Sequence, residues 1–204
     1  FCDLMGTVVD PVVTTIPGTK LRAKGPLLVT HWGVSGPAVL KLSSYAARLL
    51  AENDYKAPLA ISWTGELTRQ EVEENLLKLQ TANPRKQVAT LHPFGLPSRL
   101  WLYILSKLDI DTVKPWAEIG RKTLNRMIET LVNDQYTIAG KGAFREEFVT
   151  CGGVSLSSVN SKTLESKVCP NLFFAGEVLD IDAITGGFNL QAAWTTGVVA
   201  GQCA

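Results

Sequence analysis

Two glycine-bearing corners near the C-terminus hold the residue types best suited to chemistry. The apolar run Leu172–Ala175 ends in Gly176-Glu177, and after an acidic loop with Asp180 and Asp182 the pair Gly186-Gly187 precedes Phe188-Asn189 and a small-residue run with Ala192, Ala193 and Gly197. Strand, loop, glycines and helix in that order make a cradle. Amides at a helix start have no intrahelical partner and sit at the positive end of the dipole, so they suit a phosphate or the electron-rich edge of a flavin ring. Glycines let such a ligand approach the backbone. A carboxylate at Glu177 is ill placed beside a pyrophosphate but well placed to accept hydrogen bonds from sugar or ribityl hydroxyls. A Gly-Gly pair taken alone reads more often as a turn and cap beside a solvated acidic loop, and the surrounding residues reverse that balance.

Upstream elements must position these corners. From Phe1 to Thr30 short β-branched runs are broken by Pro and Gly, which predicts strands at Gly6–Asp10, Val12–Ile16 and Leu27–Thr30, with turns at Asp10-Pro11, Pro17-Gly18 and Gly25-Pro26. Ser35-Gly36-Pro37 starts a helix carrying Val39, Leu42, Ala46, Leu49 and Leu50 on one face, and Leu59–Trp63 reads as a strand. Thr68-Arg-Gln-Glu71 is a capping box opening a helix with Val72, Leu76 and Leu79 inward, which Asn83-Pro84 ends. Further helices start at Pro97 (Leu100, Trp101, Ile104, Leu105 and Leu108) and run from Gly120 to Val132 (Leu124, Met127, Ile128 and Leu131). Strands are expected at Tyr136–Ala139, Glu147–Thr150 and Leu172–Ala175, and a last helix from about Phe188 to Gly201. The expected class is α+β: a β-rich, barrel-like module at 1–64, a helical module at 65–140, and a C-terminal strand-loop-helix segment at 141–204.

The 204 residues are 46% hydrophobic and 19% charged, enough apolar material for a core. Twenty basic against nineteen acidic residues give a net charge of +1, and the three segments carry +2, +1 and −2. Without a global positive field, nucleic acid and anionic membrane are excluded as expected partners. The longest apolar run, Leu100–Leu105, is far short of the roughly 20 residues that cross a bilayer. Cys2, Cys151, Cys169 and Cys203 form no Cys-x-x-Cys pair, and with only His31 and His92 beside them no metal site is expected. Reduced thiols and no visible signal peptide suggest a cytoplasmic location.

The string FFAGEVLDIDAITGGFNLQAAWTTGVVAG, with TCGGV at 150–154, KTLESK at 162–167 and THWGVSGPAVL at 30–40, resembles a family of bacterial FAD-binding oxidoreductases, the aminoacetone oxidase-like proteins or predicted NAD(FAD)-utilizing dehydrogenases. That resemblance implies a Rossmann-like FAD domain interrupted by a β-rich and a helical insert, completed by the C-terminal segment. It implies that Gly176 and Glu177 face the ribityl and phosphate region, and that Gly186, Gly187, Phe188 and Asn189 meet the ring and pyrophosphate through their backbone. Gly152, Gly153 and Val154 would lie near the flavin ring. FAD is the implied cofactor, with NADH or NADPH as a candidate electron donor. No residue stands out as acid or base.

A G-x-G-x-x-G turn after an early strand is missing: Gly33-Val-Ser-Gly36 and Gly140-Lys-Gly142 have the wrong spacing or context. The chain is therefore expected to be part of a longer flavin-dependent oxidoreductase of small molecules, binding FAD weakly or not at all by itself. The alternative is a non-catalytic module for substrate gating or assembly. His31-Trp-Gly-Val-Ser35-Gly lacks the G-x-S-x-G nucleophile elbow and reads as a helix cap beside a satisfied histidine. Cys151 reads as an ordinary buried thiol. Trp101 and Tyr103, amid Arg99 and Lys107, read as core.

Overall fold

A computed structural model describes residues 2–142 and 149–204 and divides the chain into two compact units, residues 1–42 with 53–142 and residues 43–52 with 143–204. The first unit is organised by an antiparallel sheet of order β3-β2-β1-β4-β5, with β1 Val8–Thr15, β2 Arg22–Thr30, β3 Gly33–Ser35, β4 Ala57–Ser62 and β5 Asp134–Ile138. The class is α+β, as expected.

Strand β1 unites the two runs expected to be separate. Asp10-Pro11, expected as a turn, is absorbed as an irregularity between Val9 and Val12, which pair with Leu27 and Gly25. Proline has no amide to give a ladder, so a bulge is where a strand can carry it. Likewise β2 runs straight through Gly25-Pro26, because β1 supplies partners on both sides of it. Both β1 and β2 therefore outlast their breakers. Val12, Val13 and Thr14 are all buried, and the Thr14 hydroxyl reaches the carbonyls of Ala23 and Ala38 at 3.3 and 3.2 Å. Ala38 belongs to α1, Pro37–Tyr45, which begins with proline at its first position. The expected single helix is broken at Ala46, and α2 is Ala47–Glu52.

Three helices complete the first unit: α3 Arg69–Ala82, α4 Ser98–Lys107 and α5 Arg121–Val132. The capping box forms as expected, with Glu71 accepting from the Thr68 amide at 2.7 Å. Leu100, Trp101, Ile104 and Leu105 of α4 and Leu124, Met127, Ile128 and Leu131 of α5 are buried. Trp101 stacks on Trp116 with centroids 6.3 Å apart and donates to the Val88 carbonyl at 2.8 Å. Its expected core role holds.

A buried carboxylate ties sheet to helices. Asp134, 3% exposed, accepts from Trp63 Nε1 at 2.9 Å, the Tyr136 hydroxyl at 2.6 Å and Lys107 Nζ at 2.5 Å. Lys107 also lies 4.3 Å over the Tyr136 ring. Burial, followed by the bond to Asp134, pushes the Tyr136 phenol far above its usual range, so it stays a donor. The outer strands β3 and β5 curl toward each other: Gly142, past β5, faces Trp32 Nε1 in the β2–β3 turn, 3.9 Å from where a Cβ would stand.

Among its described residues the second unit has little regular structure beyond α2 and α6, Phe188–Cys203. Its core is Val159, Leu164, Leu179 and Ala200, joined by single bridges such as Val159 with Ser166 and Glu165 with Phe173. The strand expected at Leu172–Ala175 does not form; among the described residues it finds one bridge rather than a ladder. Of the strand expected at Glu147–Thr150, Glu147 and Phe148 lie outside the described residues, and Val149 and Thr150 are not in a strand. Among the described residues no helix is long and apolar enough to cross a membrane, and no group of His, Cys, Asp and Glu could hold a metal.

Candidate functional site

All nine residues expected at the cradle fall in the second unit, where backbone and side-chain hydrogen bonds tie Val154, Gly176, Glu177 and Asn189 to their surroundings. Val154 donates to Val178 at 2.7 Å and its carbonyl accepts from Asp180 at 3.0 Å, a parallel bridge that lays residues 152–154 along the Gly176–Val178 3-10 turn. Contact there is close enough to require glycine. A Cβ on Gly153, at φ +144°, would stand 2.5 Å from the Val178 carbonyl oxygen. Glu177 accepts the Thr150 amide at 3.3 Å through one carboxylate oxygen.

Helix α6 anchors the other side. Gly176 donates to the Thr196 hydroxyl at 2.9 Å, while that hydroxyl donates to Ala192 at 2.7 Å. The Asn189 amide makes a two-point clamp on Ala183, accepting its N–H and donating to its carbonyl, both at 2.9 Å. The loop from Asp180 is thus fastened to the first turn of α6. Gly187 takes the N-cap with φ +92° and no capping side chain, so the first-turn amides have no partner from the cap. Among the described residues, nothing stands within 4 Å of a Cβ built on Gly187 or Gly152. Phe188 is exposed.

Beside these bonds lies a charged cluster. Arg48 Nη2 from α2 meets both oxygens of Asp180, at 2.7 and 3.0 Å, and the neighbouring Asp182 accepts the Cys151 thiol. That hydrogen bond, with burial and the carboxylate's charge, pushes the thiol's pKa up, whereas Asp180 raises that of Arg48. Cys151 is a half-buried, protonated thiol. Asp180 and Asp182, left open as ligands, are here partners of Arg48 and Cys151. Sequence reasoning missed Thr196 and Arg48: a threonine within a small-residue helix carries no local signal, and Arg48 is 132 residues from its partner.

The expectation for His31–Ser35 is overturned. His31 is exposed at the β2–β3 turn, and Ser35 ends β3 by pairing with Leu28. Gly36 supplies the carbonyl that accepts the first helical amides, from Val39 and Leu40. The strand ladder outcompetes the cap.

Residues 1–149 match a family model described as the HI0933-like protein barrel and H2TH domain. The chain belongs to the HI0933-like family. This supports the general resemblance to FAD-binding oxidoreductase-like proteins drawn from the motifs. Over 201 residues it is 31% identical to a ribosomal RNA dihydrouridine synthase of Escherichia coli (strain K12), a match covering 98% of this chain and 46% of that protein. A ribosomal RNA dihydrouridine synthase of Haemophilus influenzae is 32% identical over 194 residues, covering 95% and 45%. A 3-dehydro-bile acid delta(4,6)-reductase of Clostridium scindens is 29% identical over 209 residues, covering 100% and 50%. The chain spans about half the length of these curated relatives, none of which is named an aminoacetone oxidase.

These names correct two expectations. A small-molecule flavin oxidoreductase is contradicted by relatives named for ribosomal RNA, and so is the exclusion of nucleic acid. The non-catalytic module gains no support. Net charge misled because it averages unlike parts: the first unit has 16 basic and 12 acidic residues, net +4, and the second 4 and 7, net −3. RNA responds to the local field, not to the sum.

Proposed function

We propose that this chain is part of a flavin-dependent enzyme that reduces uridine to dihydrouridine in ribosomal RNA. The observation that carries this is the pair of dihydrouridine synthases matching 95–98% of the chain. The third relative's name is likewise that of a reductase. Reduction of uracil adds two hydrogens across its C5–C6 double bond, one as hydride and one as proton.

FAD is the flavin of this proposal, and NADH or NADPH its electron donor. Its fit rests on the second unit: amides at the start of α6 with no side-chain cap, no described residue within 4 Å of a Cβ on Gly152 or Gly187, and a carboxylate at Glu177 with an oxygen beyond the one facing Thr150. When bound, the flavin supplies the hydride. The amides of Gly187, Phe188 and Asn189, at the positive end of α6, would face it and favour negative charge on it. Gly186 lets the ring approach. Glu177 and Gly176 would receive hydroxyls of the ribityl chain, and Asn189 fixes the loop through Ala183. Gly153 and Val154 hold the Gly152 corner against residues 178–180. The reaction takes place in the cytoplasm, where ribosomal RNA is made.

The full-length protein, purified with its flavin and given NADPH or NADH, is incubated with an unmodified ribosomal RNA transcript and the digested nucleosides are weighed by mass spectrometry. A uridine gaining two hydrogen atoms is the expected product. A bound, reducible flavin with no such product overturns the proposal.

A further inference from the structure

A uracil inside RNA has to leave its stack to be reduced, and unstacked bases are held on aromatic faces with cations beside them. The first unit builds one such surface at the β2–β3 turn. Thr30 pairs with Gly33, so the loop is only His31-Trp32, and both rings stand at its tip. They meet edge to face, centroids 3.8 Å apart at 75°. Trp63, Trp101 and Trp116 are wholly buried, whereas Trp32 is 44% exposed.

The opposite end of the sheet brings a cation here. Gly142 faces the Trp32 indole nitrogen, and the preceding Lys141 ammonium lies 4.2 Å over the Tyr55 ring. Tyr55 is set by a tight turn in which Lys56 donates to Asn53 at 2.9 Å and both Asp54 and Tyr55 are left-handed, at φ 51° and 57°. Two successive non-glycine residues adopt that conformation only where their surroundings hold them. The surface belongs to the unit whose net charge is +4.

We infer that His31 and Trp32, with Lys141 held over Tyr55, form a stacking site for a base of single-stranded RNA, Lys141 meeting the adjoining phosphate. This rests on the RNA substrate of the proposed function. Stacking requires π faces at the turn, and an ammonium seated on a ring is a positive charge held in a defined place beside them.

The test uses the full-length protein with a short oligouridylate as probe, its affinity read by fluorescence anisotropy across a salt series. Trp32→Ala should weaken binding about 5- to 150-fold, the range for losing one base stack, and Trp32→Phe should restore most of it. Lys141→Gln should flatten the salt dependence by about one phosphate contact, a change of roughly 0.7 in slope. Duplex RNA of equal length should bind wild type and Trp32→Ala alike. Equal oligouridylate affinity for Trp32→Ala and wild type, or no RNA binding by wild type, overturns the inference. Dihydrouridine formation is followed in parallel. Product formed equally well by wild type and Trp32→Ala, with unchanged affinity, removes the stacking site alone. No product from a wild type whose RNA binding is lost in Trp32→Ala removes the proposed reaction and leaves the site.

Discussion

The two units are stabilised by different means. The first buries three tryptophans and paired helices against a five-stranded ladder, and closes its centre with Asp134. The second has six buried hydrophobic residues among those described, four of them in one cluster, with single bridges in place of ladders and a helix whose Leu190, Trp194 and Val198 are exposed at every fourth position. Packing fixes the first unit; backbone hydrogen bonds and glycines fix the second. A scaffold held by packing tolerates surface change, whereas a web of this kind depends on single atoms, and that is where the expected cofactor residues are.

The largest effect should come from Asp134→Ala. It leaves Lys107 and the Trp63 and Tyr136 donors without their acceptor, and breaking a buried pair in this way costs about 3–5 kcal/mol. Denaturant unfolding of the full-length protein should show the first unit's transition shifted by that much. A shift below about 1 kcal/mol would mean that packing alone holds the centre.

Gly153→Ala should come next, at about 1–3 kcal/mol of backbone strain, because its Cβ would press on the Val178 carbonyl. Hydrogen exchange should then rise at Val154 and Asp180, whose amides donate the two hydrogen bonds of the bridge, while the amides of β1 and β4 keep their protection. Equal loosening of both units would abolish the contrast.

Thr68→Ala is the mildest, costing about 1 kcal/mol by removing the cap of α3. Glu71 adds a pH signature. Its carboxylate accepts from Thr68, first through the backbone amide, which holds its pKa below the ordinary value. A lowered folded pKa gives stability that is present above the ordinary carboxylate range and lost as pH falls through the folded value. Exchange at the start of α3 should therefore quicken in acid, and in Glu71→Gln that acid response should vanish.

The same contrast explains what could be read in advance. Helices α3, α4 and α5 were legible because Val72 and Leu76, or Leu124, Ile128 and Leu131, repeat at helical spacing with caps beside them. Asp10-Pro11 and Gly25-Pro26 misled because local breakers were outvoted by ladder partners distant in sequence. At the candidate site, the glycines announced themselves by type, but the strand before Gly176 was judged from its apolar run, which says nothing of neighbours. Arg48 and Thr196 act through contacts that no local pattern encodes. Charge was the plainest failure, since +4 and −3 nearly cancel.

The central claim is that ribosomal RNA is the substrate. Its most direct test is to delete the gene in its host and map dihydrouridine in ribosomal RNA by mass spectrometry. Dihydrouridine lost from a ribosomal RNA site, regained with the wild-type gene and reduced with Trp32→Ala, is the predicted result. Ribosomal RNA unchanged by the deletion, in a host with no second enzyme of this kind, would contradict it.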